Sequence, residues 1–203
     1  MTYLYGASGH AKVILEILEL SDRWIGGLVD DNSAITSMME YPVFEKVPFN
    51  FQDEKDKFIV SVGENAIRKK LADKLKVPFD TAIHPMVAVS KSVEIGEGTV
   101  IMSGVSVNAG AKIGRHVILN TNCSVDHDCV IGDFVHLSPN VALAGDVIVE
   151  EGVHIGIGAC VIQGLTIGKW ATIGAGAVVL KNVPAFAVVV GNPGKIIKYR
   201  KGE

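Results

Sequence analysis

The sequence predicts two units in series, a small α/β nucleotide-binding domain over residues 1–82 and a parallel β-solenoid over residues 83–203. Two observations carry the prediction. From Val89 to Val179 an aliphatic residue recurs at every sixth position without a slip, and before it the chain reads strand, glycine turn, helix.

The sixfold register runs Val89, Ile95, Ile101, Val107, Ile113, Leu119, Val125, Ile131, Leu137, Leu143, Val149, Ile155, Val161, Ile167, Ile173, Val179. Two positions earlier in each repeat stands a small or apolar residue, as at Val87, Val93, Thr99, Ala111, Cys123, Val135, Ala159 and Ala177. A period of six suits a short strand with two inward residues plus a turn, and three such strands close a triangular coil. About five coils follow, with equivalent residues stacking roughly 4.8 Å apart. Glycine follows the aliphatic position at Gly96, Gly114, Gly132, Gly156, Gly168 and Gly174, where a corner needs either positive φ or close backbone approach.

In the first domain Thr2 to Tyr5 reads as a buried strand, Gly6-Ala-Ser-Gly9 as a tight turn and His10 to Leu20 as a helix with Val13, Ile14, Ile17 and Leu18 on one face. Trp24 to Val29 reads as a second strand ending at Asp30 and Asp31, Phe58 to Val62 as a third ending at Gly63, and Glu64 to Leu75 as a second helix. Ser8, the Asp30-Asp31 pair and Gly63 then share the carboxyl edge of one sheet, where open α/β sheets hold ligands and where a helix N-terminus suits a phosphate. Only three or four strands fit, so the domain is Rossmann-like but half-sized, and a mononucleotide is its natural ligand. The segment 32–57 has no assignment.

Composition narrows the function classes. Of 203 residues 20% are charged, the net charge is −3, and no basic block stands outside the last few positions, so nucleic acid is an unsuited partner. No apolar run reaches membrane-spanning length, and the first residues lack the pattern of a signal peptide. Three cysteines without CxxC spacing fit reduced thiols in the cytoplasm.

Asp126-His127-Asp128 interrupts the small turn residues of the coil. With Val125 pointing inward, His127 lies at a corner, where an imidazole made more basic by a carboxylate can deprotonate an amine or hydroxyl at neutral pH. A solvated polar turn is the plain alternative. Gly145 stands one coil further on at the equivalent corner, so its N–H is suited to an oxyanion beside that base. His136 and His154 share one outward column. With Ile118 below them they lack the third ligand of a catalytic zinc site, so no metal is assigned. Cys123 and Cys129 fall on inward positions, and neither reads as a nucleophile. His84 reads as a domain-junction residue and His116 as a corner residue. The tail through Lys195, Lys198, Arg200 and Lys201 suits an anionic cosubstrate or a solvated terminus.

The repeat resembles that of the hexapeptide-repeat transferases, whose fold is a left-handed β-helix and which are usually trimers. With Tyr-Gly-Ala-Ser-Gly-His, Val-Asp-Asp and Val-Gly-Glu-Asn-Ala-Ile-Arg-Lys-Lys before it, the chain resembles the bacterial sialic-acid and UDP-sugar acetyltransferase group, above all those N-acetylating UDP-4-amino-4,6-dideoxy sugars. The resemblance implies acetyl-CoA as cosubstrate, UDP-sugar binding by Ser8, Gly9, His10, Asp30, Asp31 and Gly63, and a homotrimer with active sites between subunits. It also implies His127 as general base, Asp128 as the carboxylate raising its basicity, Asn120 and Gly145 in the same site, and His136, Ile157 and Ala175 against the cofactor. Two positions depart from the pattern: Asp128 replaces Glu, and Ala175 replaces Gly. A sugar O-acetyltransferase or a non-catalytic nucleotide-sugar-binding scaffold would share much of this sequence.

Overall fold

A computed structural model describes residues 1–48, 51–52 and 54–200. Lys201, the last cation of the basic tail, lies outside the described residues.

The first domain runs β1 (Thr2–Tyr5), α1 (Gly9–Leu20), β2 (Ile25–Val29), β3 (Ser37–Met38), β4 (Tyr41–Phe44), β5 (Lys57–Val60) and α2 (Asn65–Lys74). Its sheet has the order β3-β4-β2-β1-β5, parallel except for the β3–β4 hairpin. The sheet therefore has five strands rather than three or four. The extra pair lies in the segment left unassigned, where Pro42 and the short spans hide any alternation.

The next strand, β6 (Ala82–Ile83), pairs with Val100–Ile101 of the solenoid, so the divide near residue 82 falls inside a strand. Sixteen two-residue strands follow, from Ala88–Val89 to Val178–Val179, in three parallel faces. The first face carries Ser106–Val107, Ser124–Val125 and Ala142–Leu143. The second carries Lys112–Ile113, Val130–Ile131 and Ile148–Val149. The third carries Val100–Ile101, Ile118–Leu119, His136–Leu137 and His154–Ile155. Pairs such as Val107↔Val125 and Leu119↔Leu137 show the eighteen-residue coil held in register. The inward aliphatic residues form one continuous core from Ile101 to Val189.

Positive φ occurs three residues after each inward aliphatic residue, at every sixth position from Gly98 to Gly176, with values between +53° and +77°. The glycines expected at the corners sit one residue after that aliphatic and do not adopt it. Their role is close approach: a Cβ on Gly96 would stand 2.6 Å from the Gly114 carbonyl carbon, and one on Gly132 would stand 2.8 Å from Glu151 N. Where the left-handed position lacks glycine, Asn122, Asp128, Asn140 and Asp146 take it, as short polar side chains do most easily.

His116, Phe134 and Trp170 also take it, all on the edge between the second and third faces. There the His116 and Phe134 rings stack at 5.1 Å and 6°, Phe79 meets His116 edge-on at 4.5 Å, and the Lys69 ammonium lies 4.9 Å from the Phe134 centroid. These contacts offset the left-handed backbone and seat α2 on the solenoid. His116 is thus a corner residue, but a buried one. On the third face the outward column reads Ala82, Val100, Ile118, His136, His154, Thr172. Its three apolar members are buried beneath α1, and its histidines come next in line.

Candidate active site

The edge between the first and second faces carries His127. Asp128, at φ +60°, turns its carboxylate back so that His127 Nδ1 donates to Asp128 Oδ2 at 2.9 Å. That bond fixes the tautomer and leaves Nε2 as an acceptor. One coil further on, a Cβ on Gly145 would stand 2.6 Å from both Cε1 and Nε2 of His127, so the ring lies directly against the glycine. The Gly145 N–H donates no backbone hydrogen bond among the described residues, while its neighbour Asp146 N donates to the His127 carbonyl at 2.9 Å. His127 is exposed, and its pKa is raised by the hydrogen bond to Asp128 and then by the charge of Asp126. The edge thus offers a basic nitrogen and an uncommitted donor side by side, open to solvent.

The third face holds a different histidine group. His136 Nδ1 donates to the Gly63 carbonyl at 3.3 Å, and Asn120 Nδ2 donates to His136 Nε2 at 3.2 Å. The His154 ring stacks on His136 at 5.1 Å, with its Nε2 3.0 Å from Ser138 Oγ. Burial pushes His136 down to about 3, aided by the neighbouring His154 and Arg68. Within one chain, Asn120 therefore meets His136 rather than His127. Ile157 and Ala175 are exposed and stack one coil apart on the edge between the third and first faces, tied by Gly176 N donating to the Ile157 carbonyl at 2.8 Å. In a triangular coil the His127 edge lies opposite the third face, so a single chain does not bring these two groups together.

The sheet of the first domain positions a third group. Gly6, at φ +110°, packs where a Cβ would stand 2.8 Å from Val62, which explains the glycine. Ser8 caps α1 with its side chain uncommitted and exposed, and Gly9 and Gly63 open onto free space. Asp30 is spent on the chain itself, accepting from Ala7 N at 2.6 Å and Asn32 N at 2.9 Å. Asp31 accepts from Tyr5 Oη at 2.8 Å through one oxygen, leaving the other for a ligand. His10, at the start of α1, carries a buried Nε2 without a partner, and burial lowers its pKa to about 4.

Cys123 and Cys129 are buried, and burial pushes the Cys123 thiol up to about 12, which suits neither for nucleophilic attack. The basic tail is ordered as the strand Lys195–Tyr199, antiparallel to Ala187–Val190, and Arg200 Nη1 donates to Thr172 at 3.4 Å. Arg68, buried and bonded across both domains, was not singled out in the sequence. Its signal is a helical stripe of Asn65, Arg68 and Ala72 in which the buried positions of α2 are mainly polar.

A triangular β-helix with a basic histidine under a free glycine amide, joined to a phosphate-suited α/β sheet, defines a hexapeptide-repeat acyltransferase. Comparison with known proteins narrows the class. Residues 2–75 match the PglD N-terminal domain family. The UDP-N-acetylbacillosamine N-acetyltransferase of Bacillus subtilis (strain 168) is 41% identical over 108 residues, which make up 49% of this chain and 50% of that protein. The match thus spans about half the length of that curated relative. PerB from Caulobacter crescentus, solved in complex with CoA and GDP-perosamine, is 37% identical with a TM-score of 0.90, and 97% of each chain is covered. The acetyltransferase domain of PglB from Neisseria gonorrhoeae FA1090, solved with acetyl coenzyme A, is 36% identical with a TM-score of 0.89, over 97% of this chain and 98% of that one. The chain belongs to the left-handed β-helix sugar acetyltransferases that carry a PglD-type N-terminal domain.

Proposed function

We propose that this protein transfers acetyl from acetyl-CoA to the 4-amino group of a UDP-linked amino-dideoxy sugar. The observation that carries the mechanism is the His127 imidazole lying against Gly145 with its Nδ1–H held by Asp128. As the amine nitrogen attacks the thioester carbon, Nε2 takes its proton and the Gly145 N–H receives the developing oxyanion. The tetrahedral intermediate then collapses, the C–S bond breaks, and the thiolate of CoA recovers a proton from Nε2. No acyl-enzyme is required, because the step gains its rate from holding both substrates together. The relatives solved with CoA and GDP-perosamine and with acetyl coenzyme A support acetyl-CoA and a nucleotide-linked sugar as substrates, and the name of the Bacillus subtilis relative supports UDP as the nucleotide.

The acceptor's nucleotide is assigned to Ser8, Gly9, His10, Asp31 and Gly63, with Asp30 holding their loops. Acetyl-CoA is assigned to His136, Ile157 and Ala175, and Asn120 orients His136. Because the His127 edge faces away from that group, we infer a homotrimer in which one subunit supplies His127 and its neighbour the cofactor face. Apolar residues exposed on the single chain, Val130, Ile148 and Ile157 among them, support such an assembly. Among the described residues no helix is long and apolar enough to cross a membrane. The free thiols and the use of acetyl-CoA suit the cytoplasm.

The test is thiol release from acetyl-CoA with UDP- and GDP-sugars, with and without a 4-amino group, for the natural protein and for His127→Ala. Turnover confined to UDP-4-amino sugars and lowered about 10²- to 10⁴-fold by the substitution is expected. Near-normal turnover in a folded His127→Ala protein would remove the base, and acetylation of sugar hydroxyls would reassign the acceptor.

A further inference from the structure

Arg68 is the largest fully buried side chain among the described residues, and it bridges the two domains. Its Nε donates to the His116 carbonyl at 2.9 Å, Nη1 to the Val62 and Gly63 carbonyls at 3.1 Å each, and Nη2 to Asn65 Oδ1 and the Phe134 carbonyl at 2.9 Å each. All five guanidinium N–H groups are therefore used, four of them on backbone carbonyls. No carboxylate lies within ion-pair distance of it among the described residues. Asn65, oriented by Arg68, continues the line by donating to the Gly152 and Val153 carbonyls at 3.0 and 3.1 Å. His116, Phe134 and Gly152 are equivalent corner positions of three successive coils. One turn of α2 thus grips three rungs of the solenoid while holding the loop that follows β5.

That loop leads to the chemistry. The Gly63 carbonyl that accepts from Arg68 also accepts from His136 Nδ1, and His136 Nε2 in turn accepts from Asn120. A buried guanidinium bonded only to neutral acceptors is expensive to desolvate, and an apolar residue of similar volume would hold two domains together at lower cost. What the guanidinium adds is a planar fork with fixed directions.

We propose that Arg68 is a positioning residue for acetyl transfer, setting where the Val62–Gly63 loop meets the His136 face and thereby aligning the sugar amine with the thioester. The inference rests on the proposed function and deepens it. Each domain can bind its own ligand without Arg68, but the transfer between them depends on it. Burial pushes the guanidinium down to about 9, so it stays charged at neutral pH, and that charge also disfavours a proton on His136.

Arg68→Lys keeps a cation but cannot span four carbonyls, so it is the variant of choice. The experiment measures affinity and stoichiometry for UDP and for CoA by calorimetry, and kcat with the UDP-4-amino sugar. Expected are both affinities within twofold of the natural protein, full stoichiometry, and kcat lowered about tenfold, since small misplacements of reacting groups are costly. An unchanged kcat overturns the proposal, as does a fall in kcat matched by lost affinity or lost binding sites. If Arg68→Lys does not fold, Asn65→Ser is judged by the same measures, and failure of both to fold reduces the latch to a folding element and overturns it. A natural protein that binds both ligands and transfers nothing would sink the function itself, whereas an active one with an unaffected variant sinks only the role of Arg68.

Discussion

His127 and His136 sit in the same repeat, yet the structure pushes their basicity in opposite directions. His127 follows its inward aliphatic residue by two positions, projects from an exposed edge and is raised by Asp128 and Asp126. His136 precedes its aliphatic by one, faces outward on a sheet covered by the first domain, and is lowered to about 3 by burial. Register within six residues therefore decides whether an imidazole is a base or a neutral hydrogen-bonding spacer. Four histidines, His10, His116, His136 and His154, share the second environment and only His127 carries an upward shift.

The sharpest way to break this contrast is Gly145→Ala. The backbone there needs no left-handed conformation, so the substitution leaves the coil intact, but the new methyl occupies the space of the His127 ring. The imidazole, on an open edge, swings away from the donor beside it. We expect kcat to fall about 10²-fold with the melting temperature nearly unchanged, as read by steady-state kinetics and thermal denaturation. A smaller loss follows from Asp128→Asn. Asparagine tolerates positive φ and still accepts from Nδ1, so only the charge is removed. In the proposed mechanism the neutral base is the active form, so activity should be lost as pH falls through the His127 pKa. Because Asp128 and Asp126 raise the His127 pKa, that limb should lie above the ordinary histidine value of 6.5 in the natural protein. In Asp128→Asn the pH profile of kcat/KM should move to lower pH, while the plateau rate drops about tenfold through weaker basicity. A limb that stays in place would assign it to another group.

The solenoid was readable because its period is exacting: a buried aliphatic every sixth residue leaves no second interpretation. The His127–Gly145 pairing was readable for the same reason, since coil register converts a sequence interval into adjacency. The separation of Asn120 from His127 within one chain was not. The two are near in sequence, but the register puts them on different edges, and only the Asn120–His136 bond shows it. Domain docking was hidden as well. Val100 and Ile118 are outward residues of the repeat, and nothing in the sixfold period marks the cover that α1 gives them. Arg68 escaped because buried cations are rare and a helical stripe is read by its apolar members. The left-handed positions were missed because glycine marks them only in part, with Asn122, Asp128, Phe134 and Trp170 occupying the same conformation.

His116 separates the two environments at the scale of stability. Its ring is enclosed between Phe79 and Phe134, and both its nitrogens are buried without partners. Burial lowers its pKa to about 4, with the charges of Arg115 and Arg68 adding to the shift. Below pH 6.5 the unfolded chain takes up a proton that the folded chain refuses, so this residue withdraws stability as pH falls from about 6.5 towards 4. Phenylalanine at this position keeps the stack, and Phe134 shows that the left-handed corner accepts it. The main-chain carbonyl that Arg68 uses is untouched. His116→Phe should therefore raise stability by about 1 kcal/mol at neutral pH by removing unsatisfied polar atoms. Its advantage should widen below pH 6, as followed by thermal denaturation across pH 5–8, while kcat stays within twofold. A variant that unfolds at the natural temperature and keeps the full acid sensitivity would mean that the His116 nitrogens are hydrated and that the acid limb belongs to His10, His136 and His154.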